Sequence, residues 1–512
     1  MRSARLARVG TRFITAATTA VLLAALVVPG ASAQGKGDLV VGVTSDPDTL
    51  FPWKATQFQA VALLGLVYDS LVEFDQDLNV VPGIAESWDT SGDGMAITFT
   101  IRDGVTFHDG KPLTSADVKA SLDAILDEET GAVQRTSLAS VASVEAPDDS
   151  TVVLNLNNPD AGILSGLAGG PNLAILSKDD NEEGLSAAPN GTGPFAFGSR
   201  KPNESVTLVA NDAYWREGEP KLASVELRVI PDESSIVDGL RSGNVQLAVL
   251  NDPLVATTAE GDGISIARTP QLAYHVLQLN HNRPPLDDLN VRLAIQCAVD
   301  RQEVLDTAAL GEGEVVGPIT SPAYLSDPSA RPCPERDLEQ AQQLLADAGY
   351  GDGITIGTIV SQGEYASSVN EAQNLQAQLA EAGINLEIEP MEIGAYVDRW
   401  LAADFDTAVA LNGGRPDPDV QYGRYFPSTG NLNQIASYNS PELDDLFARG
   451  KSSGDADERK QIYADISNHL EDNAVWLWMF SSPNYSATTE GVEGFVPMPN
   501  NSLQYLRTTT VQ

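Results

Sequence analysis

The chain has 512 residues, with 71 Asp and Glu against 31 Lys and Arg and a formal net charge of −40 at pH 7. A surface this acidic repels nucleic acid and anionic lipid, which excludes both as partners. The length suffices for two or three domains with substantial cores. In chain order, Arg2, Arg5, Arg8 and Arg12 precede an apolar stretch from Phe13 to Val28, and Ala31-Ser32-Ala33 forms an A-x-A cleavage site. Residues 1–33 therefore read as a secretory signal peptide, whose apolar core is short for a bilayer span. No later segment approaches transmembrane length, so the mature chain is expected outside the cytoplasmic membrane, periplasmic or at the cell surface.

Ser91-Gly92-Asp93-Gly94 supplies a turn before a strand in which Ile97, Phe99 and Ile101 alternate with Thr98, Thr100 and Arg102. After Pro112, Thr114 and Ser115 are candidate N-caps of a helix whose Val118, Leu122, Ile125 and Leu126 share a face. Leu375 and Leu379 lie on a helix expected to end at Gly383, followed by a strand alternating Ile384, Leu386 and Ile388. Ser440 caps and Pro441 opens a helix with Leu443, Leu446 and Phe447 inward and Gly450 expected at its end. Val475 to Phe480 reads as a buried strand, and alternation predicts Trp476, Trp478 and Phe480 on one aromatic face. There are no internal repeats, low-complexity tracts or long linkers.

Chemistry-bearing motifs are scarce. His108, His275, His281 and His469 lack metal-ligand spacing and no C-x-x-C occurs, so no metal or other cofactor is expected. The chain also has no G-x-S-x-G elbow, P-loop or dinucleotide fingerprint, and an enzyme is not expected. Cys297 and Cys333 are exported together, which permits a disulfide in an oxidising compartment and equally two separate thiols.

The words PGIAESW from Pro82, IRDGVTFHDG from Ile101 and PLTSADV from Pro112, in this order, resemble the large solute-binding proteins of peptide-type ABC importers, solute-binding protein family 5. NGTGPF from Asn190, Tyr214-Trp215, RSGNVQLAV from Arg241, the segment from Leu279 to Arg301, DLEQAQQLLADAGY from Asp337 and YNSPELDDLF from Tyr438 extend the likeness over nearly all of the mature chain.

This resemblance implies an α/β, two-lobed periplasmic-binding-protein fold of the large type, with mixed sheets flanked by helices. Lobe I is expected from residues 34–73, 190–279 and 481–512, an inserted small domain from 74–189, and lobe II from 280–480. The implied function is capture of a small solute between the lobes and delivery, as a monomer, to an ABC permease pair with its ATPase subunits. The family default is an oligopeptide; an oligosaccharide, an opine, chelated nickel or an organic acid would suit the same clamp, as would a receptor or chaperone-like role. Many relatives carry a lipid-bearing cysteine directly after the leader. Gln34 stands here, so lipid anchoring by that route is not expected.

In peptide-binding relatives an aspartate within W-x-x-D-x-x-x-P pairs with the ligand's amino group. Aligned on Asp417-Pro418, that aspartate is Gly414 and the tryptophan is Leu411, within the loop Asn412-Gly413-Gly414-Arg415 whose amides and guanidinium suit a carboxylate or phosphate. The likeness brings further cleft candidates: Ser45 and Asp46 after the first strand, Tyr274 and His275 at one crossing, Arg399, Asp417, Tyr422, and Trp478 with Phe480 near the other crossing. Asp46, Asp417 and Asp419 are candidates to replace the missing anion. The disulfide position of the oligopeptide binders is not reproduced, since Ala273 and Asn412 occupy it.

Overall fold

The computed structural model describes residues 36–362 and 367–512. The expected leader, its cleavage site at Ala33, and Gln34 lie outside them. Among the described residues no helix is long and apolar enough to cross a membrane.

The strand Asp38–Val43 is buried on both faces, which explains its nearly continuous apolar sequence, and it runs parallel to Ser224–Val229 and Leu247–Leu250. Ser205–Ala210 and Phe195–Lys201 extend the sheet antiparallel on one side, Pro483–Thr489 and Ile264–Pro270 on the other. A four-stranded antiparallel sheet runs in the order Ala85–Thr90, Ala96–Ile101, Thr151–Leu156, Val141–Asp148. Ile97, Phe99 and Ile101 point inward and Thr98 and Thr100 outward, as their alternation predicts. The helix Ser115–Leu126 starts at Thr114, whose N–H and hydroxyl both donate to the Asp117 carboxylate at 2.9 and 2.8 Å. One continuous core, from Leu39 through Phe99 to Leu506, joins this small sheet to the seven-stranded one.

The words that carry the resemblance meet physically in this core. Asp69 is buried and accepts hydrogen bonds from Thr192 Oγ1 (3.0 Å), Tyr214 Oη (3.2 Å) and Trp215 Nε1 (2.9 Å). A Cβ on Gly191 would lie 2.0 Å from the Val67 carbonyl oxygen, so the turn has no room for a side chain. His108 accepts the Gly191 N–H at Nδ1 and therefore donates from Nε2 to the Gly193 carbonyl, 3.0 Å away. These contacts hold the fold together and say little about a ligand.

The second sheet has the order Glu314–Val315, Trp476–Ser481, Tyr274–Leu279, Thr407–Asn412, Ile354–Gln362, Ile384–Glu392. Leu277, Leu477, Leu375 and Leu379 pack on one face, and Val276, Trp476, Ile462 and Tyr463 on the other. Two expectations change here. Tyr274–Leu279 pairs wholly within this second sheet, so the crossing lies at residues 271–273, ahead of the expected end of a lobe I segment at 279. A run buried along its whole length offers no periodicity break to mark where it changes sheets. The helix Pro441–Ser452 continues past Gly450, whose missing side chain lets Tyr463 approach: a Cβ there would lie 3.0 Å from the Tyr463 ring. Ser440 caps this helix by accepting the Leu443 N–H.

Cys297, on the helix Leu289–Ala298, is joined to Cys333, with Cα atoms 5.0 Å apart.

Candidate functional site

Two chain crossings join the sheets side by side. Ile264–Pro270 leads through residues 271–273 into Tyr274–Leu279, and Trp476–Ser481 leads through Ser482 into Pro483–Thr489. Pro270 and Pro483 face each other at the end of the first sheet's ladder, where neither offers an N–H to continue it. Ser481 Oγ is within hydrogen-bond distance of the Gln271 and Ala273 carbonyls, at 3.0 and 2.7 Å, and ties one crossing to the other.

Several candidate residues gather where the second sheet meets these crossings. Tyr274 and Asn412 are register partners, and Asn412 Nδ2 donates to Tyr274 Oη at 3.3 Å. The Tyr422 ring stacks on Tyr274 at 5.9 Å, and its hydroxyl accepts the Thr320 N–H at 2.9 Å. Burial pushes the Tyr422 phenol up to about 12, so it stays protonated.

Gly413 is exposed, whereas Gly414 is pressed against the first crossing: a Cβ on it would lie 2.0 Å from the Leu272 carbonyl oxygen. An aspartate has no room at this position while the loop keeps its path. Arg415 follows, its carbonyl accepting from Ser321 Oγ at 2.7 Å. Burial pushes its guanidinium below the ordinary arginine value, and the neighbouring charge of Arg424 adds to the effect. Arg424 was not among the sequence candidates; it stands just after the helix Pro418–Tyr422.

Asp417 is not free to serve a ligand ammonium. Arg459 holds it with two hydrogen bonds, at 2.6 and 3.0 Å, with both side chains almost fully buried. Asp46 is likewise engaged, accepting from Arg200 at 2.7 Å and from the Asn203 N–H at 3.2 Å. Asp419 lies 3.6 Å from Lys451, which is also 3.6 Å from Asp160 beyond the small sheet. The Lys451 carbonyl accepts the Ala161 N–H at 2.8 Å, and a Cβ on Gly162 would lie 3.1 Å from Asp417 Oδ1. The helix Pro441–Ser452 thus touches residues 160 and 161, and Asp417 approaches residue 162.

Burial raises the Asp419 pKa from 3.8 to about 6, with Asp417 and Asp160 adding to the effect and Lys451 and Arg459 opposing it. Between these values the folded chain holds a proton that the unfolded chain has released, so this contribution to stability falls as pH rises from about 4 to about 6. Asp419→Asn is therefore expected to unfold at nearly the wild-type urea concentration at pH 4. At pH 8 it should be more stable by about 3 kcal/mol, since the shift spans about two pKa units and each is worth about 1.4 kcal/mol. An equal shift at both pH values would refute the assignment.

Four other candidates are placed differently from the expectation. His275 is buried, its Nε2 3.0 Å from Ser482 Oγ, its Nδ1 2.9 Å from Glu371 Oε1, and its ring stacked 4.1 Å from Phe480. Glu371 and Ser482 carry no motif and were missed. Trp478 is fully buried among Trp476 and Phe426, at 6.0 and 6.1 Å, as core. Phe480 does not share its face: the register shifts between His275 and Val276, so Met479 and Phe480 both join the opposite core. Arg399 pairs with Glu389 (2.7 Å) and Asp404 (3.4 Å) beside the edge strand Ile384–Glu392, apart from this group. Ser45 is half-buried just beyond Asp38–Val43. Among the described residues no cluster of three or more His, Cys, Asp or Glu stands where it would hold a metal ion.

Residues 79–433 match the profile of the bacterial extracellular solute-binding proteins, family 5. The chain is 26% identical over 516 residues to the glutathione-binding protein GsiB of Salmonella typhi, covering 97% of this chain and 99% of that one. Among solved structures it is similar to the ABC transporter substrate-binding protein CtaP of Listeria monocytogenes, with a TM-score of 0.84, 25% identity and coverage of 93% and 100%. It is also similar to the oligopeptide-binding protein AppA of Bacillus subtilis in complex with a nonapeptide, with a TM-score of 0.77, 27% identity and coverage of 93% and 99%. With two sheets joined by two crossings and a family match over most of its length, the chain belongs to family 5 of the bacterial extracellular solute-binding proteins, the two-lobed substrate-binding components of ABC importers.

Proposed function

We propose that this chain, exported and cleaved near Ala33, closes its lobes around one small solute and presents the closed form, as a monomer, to a permease pair driven by ATPase subunits. The carrying observation is the pair of crossings at residues 271–273 and 482, tied together by Ser481. A pair of short crossings lets two rigid sheets swing, and a solute touching both lobes binds the closed form better than the open one, so closure reports occupancy. The contact of Lys451 with Asp160 and Ala161 is where the closed form meets away from the hinge.

The proposed lobe I comprises residues 36–73, 190–270 and 483–512, with 74–189 inserted, and lobe II residues 274–481. The cleft candidates that this reading retains are Ser45, Tyr274, Asn412, Gly413, Gly414, Arg415 and Tyr422. No covalent step is needed for such a cycle. A peptide-type ligand is the family default, but the close approach of Gly414 to Leu272 favours a mode of capture that does not place an aspartate at this position. Mature protein purified from its native host is expected to release a small molecule on denaturation, seen as a mass difference between native and denaturing spectra. A spread of peptide masses would support the default, a single non-peptide mass a change of substrate, and no bound mass together with no closure on adding peptides would overturn solute capture.

A further inference from the structure

Eighteen arginines lie in the described residues, and sixteen of them donate a side-chain hydrogen bond or lie in an ion pair. Arg415 and Arg424 are the two without one; the guanidinium carbon of Arg424 lies 5.8 Å from the centre of the Tyr425 ring. In a chain with 71 acids this is not a shortage of carboxylates. Asp417 and Asp419, two and four positions beyond Arg415, are turned to Arg459 and Lys451. The charge of Arg424 acts on the buried Arg415 guanidinium and adds to the effect of burial in disfavouring its charged form, a cost that an anion at Arg415 would relieve.

Their place is defined by the backbone. Residues 413–415 leave the second sheet at the end where Tyr274 enters it from the crossing, held by Leu272 behind Gly414 and by Ser321 on the Arg415 carbonyl. A planar guanidinium fixed at its root presents a fork of N–H donors suited to two oxygens of one oxyanion.

We propose that Arg415 and Arg424 form the anion end of the cleft, a guanidinium pair left unpaired by the protein so that a carboxylate or phosphate of the captured solute completes it. The inference rests on the solute-capture reading and deepens it: the solute is an acid, and its acidic group lies beside the hinge. Capture then neutralises two like charges at the crossing, which couples occupancy to closure.

The test uses the solute released from native-host protein. Methyl esterification counts its carboxylates and phosphatase treatment detects a phosphate, which separates the two sources. The expected result is at least one such group, with the esterified or dephosphorylated solute rebinding to stripped protein at least about tenfold more weakly by calorimetry, the loss of a charge-assisted contact. Arg415→Gln and Arg424→Gln should each weaken the unmodified solute about tenfold or more, while stripped Arg415→Gln unfolds at or above the wild-type temperature, because no native bond is lost. A solute without an acidic group, full affinity after modification, or stripped variants that unfold well below wild type would overturn the anion site and leave solute capture standing. A wild-type protein that neither releases a solute nor closes on added peptides would overturn both.

Discussion

Arg459→Met is expected to lower the stability of the folded chain by about 3–5 kcal/mol, the range for removing one partner of a buried ion pair. Its guanidinium donates to both Asp417 oxygens, to the Gly450 carbonyl at 2.7 Å and to Tyr324 Oη at 2.8 Å, and lies over the Tyr324 and Tyr463 rings at 5.3 and 5.2 Å. Without it Asp417 keeps its burial and loses its cation, while its carboxylate also caps the helix Pro418–Tyr422 through the Asp419 N–H. Coulomb attraction alone does not set the size; the uncompensated desolvated carboxylate does. The double variant Asp417→Asn with Arg459→Met should therefore recover most of the loss, a coupling that a purely steric effect of methionine would not produce. Urea midpoints of the four proteins in this cycle measure it, and a single-variant loss below about 1 kcal/mol would contradict the buried-pair account.

Breaking the Cys297–Cys333 bond is expected to have the next largest effect. The cysteines are 36 residues apart, and closing a loop of that length in the unfolded chain corresponds to roughly 4 kcal/mol in the chain-entropy account, with measured values of about 2–5. The loop encloses the helix Arg301–Ala308 and the segment with Thr320 and Ser321, which bond to Tyr422 and to the Arg415 carbonyl. Cys333 therefore anchors a stretch that leads directly to the candidate site. Its loop is also joined to the core by Arg301, which donates to the Trp478 carbonyl at 2.9 Å and whose pKa burial pushes down to about 9, with Arg331 adding to the effect. Comparing urea midpoints of the wild type and of Cys297→Ala with Cys333→Ser, each with and without reductant, gives the test. The wild type should fall to the variant's midpoint when reduced, and a variant that matched the oxidised wild type would show that the bond contributes nothing.

The contrast between these pairs and the rest of the fold explains what a reader of the sequence sees. The turn at Ser91-Gly92-Asp93-Gly94, the cap at Thr114 and the alternation of Ile97, Phe99 and Ile101 act over a few residues, and all appear where the pattern put them. The family words were legible for a related reason. Asp69, Gly191, His108 and Trp215 form one hydrogen-bonded cluster that admits few alternative side chains. Gly450 shows where local pattern misleads: a glycine near a helix end resembles a terminator, yet here it opens space for Tyr463 from another helix. Phe480 fails similarly, because one register shift against Tyr274–Leu279 reverses a face that strict alternation assigns.

By itself the sequence determined the family, the α/β class, the local elements and the unusual Gly414, because these depend on short-range backbone preferences and on words kept together by a shared core. Only the tertiary structure decided which charges were spent. Asp417 and Arg459 are 42 residues apart, His275 and Ser482 are 207, and nothing in their spacing announces that they meet. Whether a buried charge is already neutralised or still awaits a partner is a property of the three-dimensional neighbourhood, since the electrostatic cost of burial is relieved by whatever lies within a few ångströms. Asp417 and Asp46 were thereby removed from the set of groups free to meet a ligand, and among the described arginines Arg415 and Arg424 were left with neither a side-chain hydrogen bond nor an ion pair.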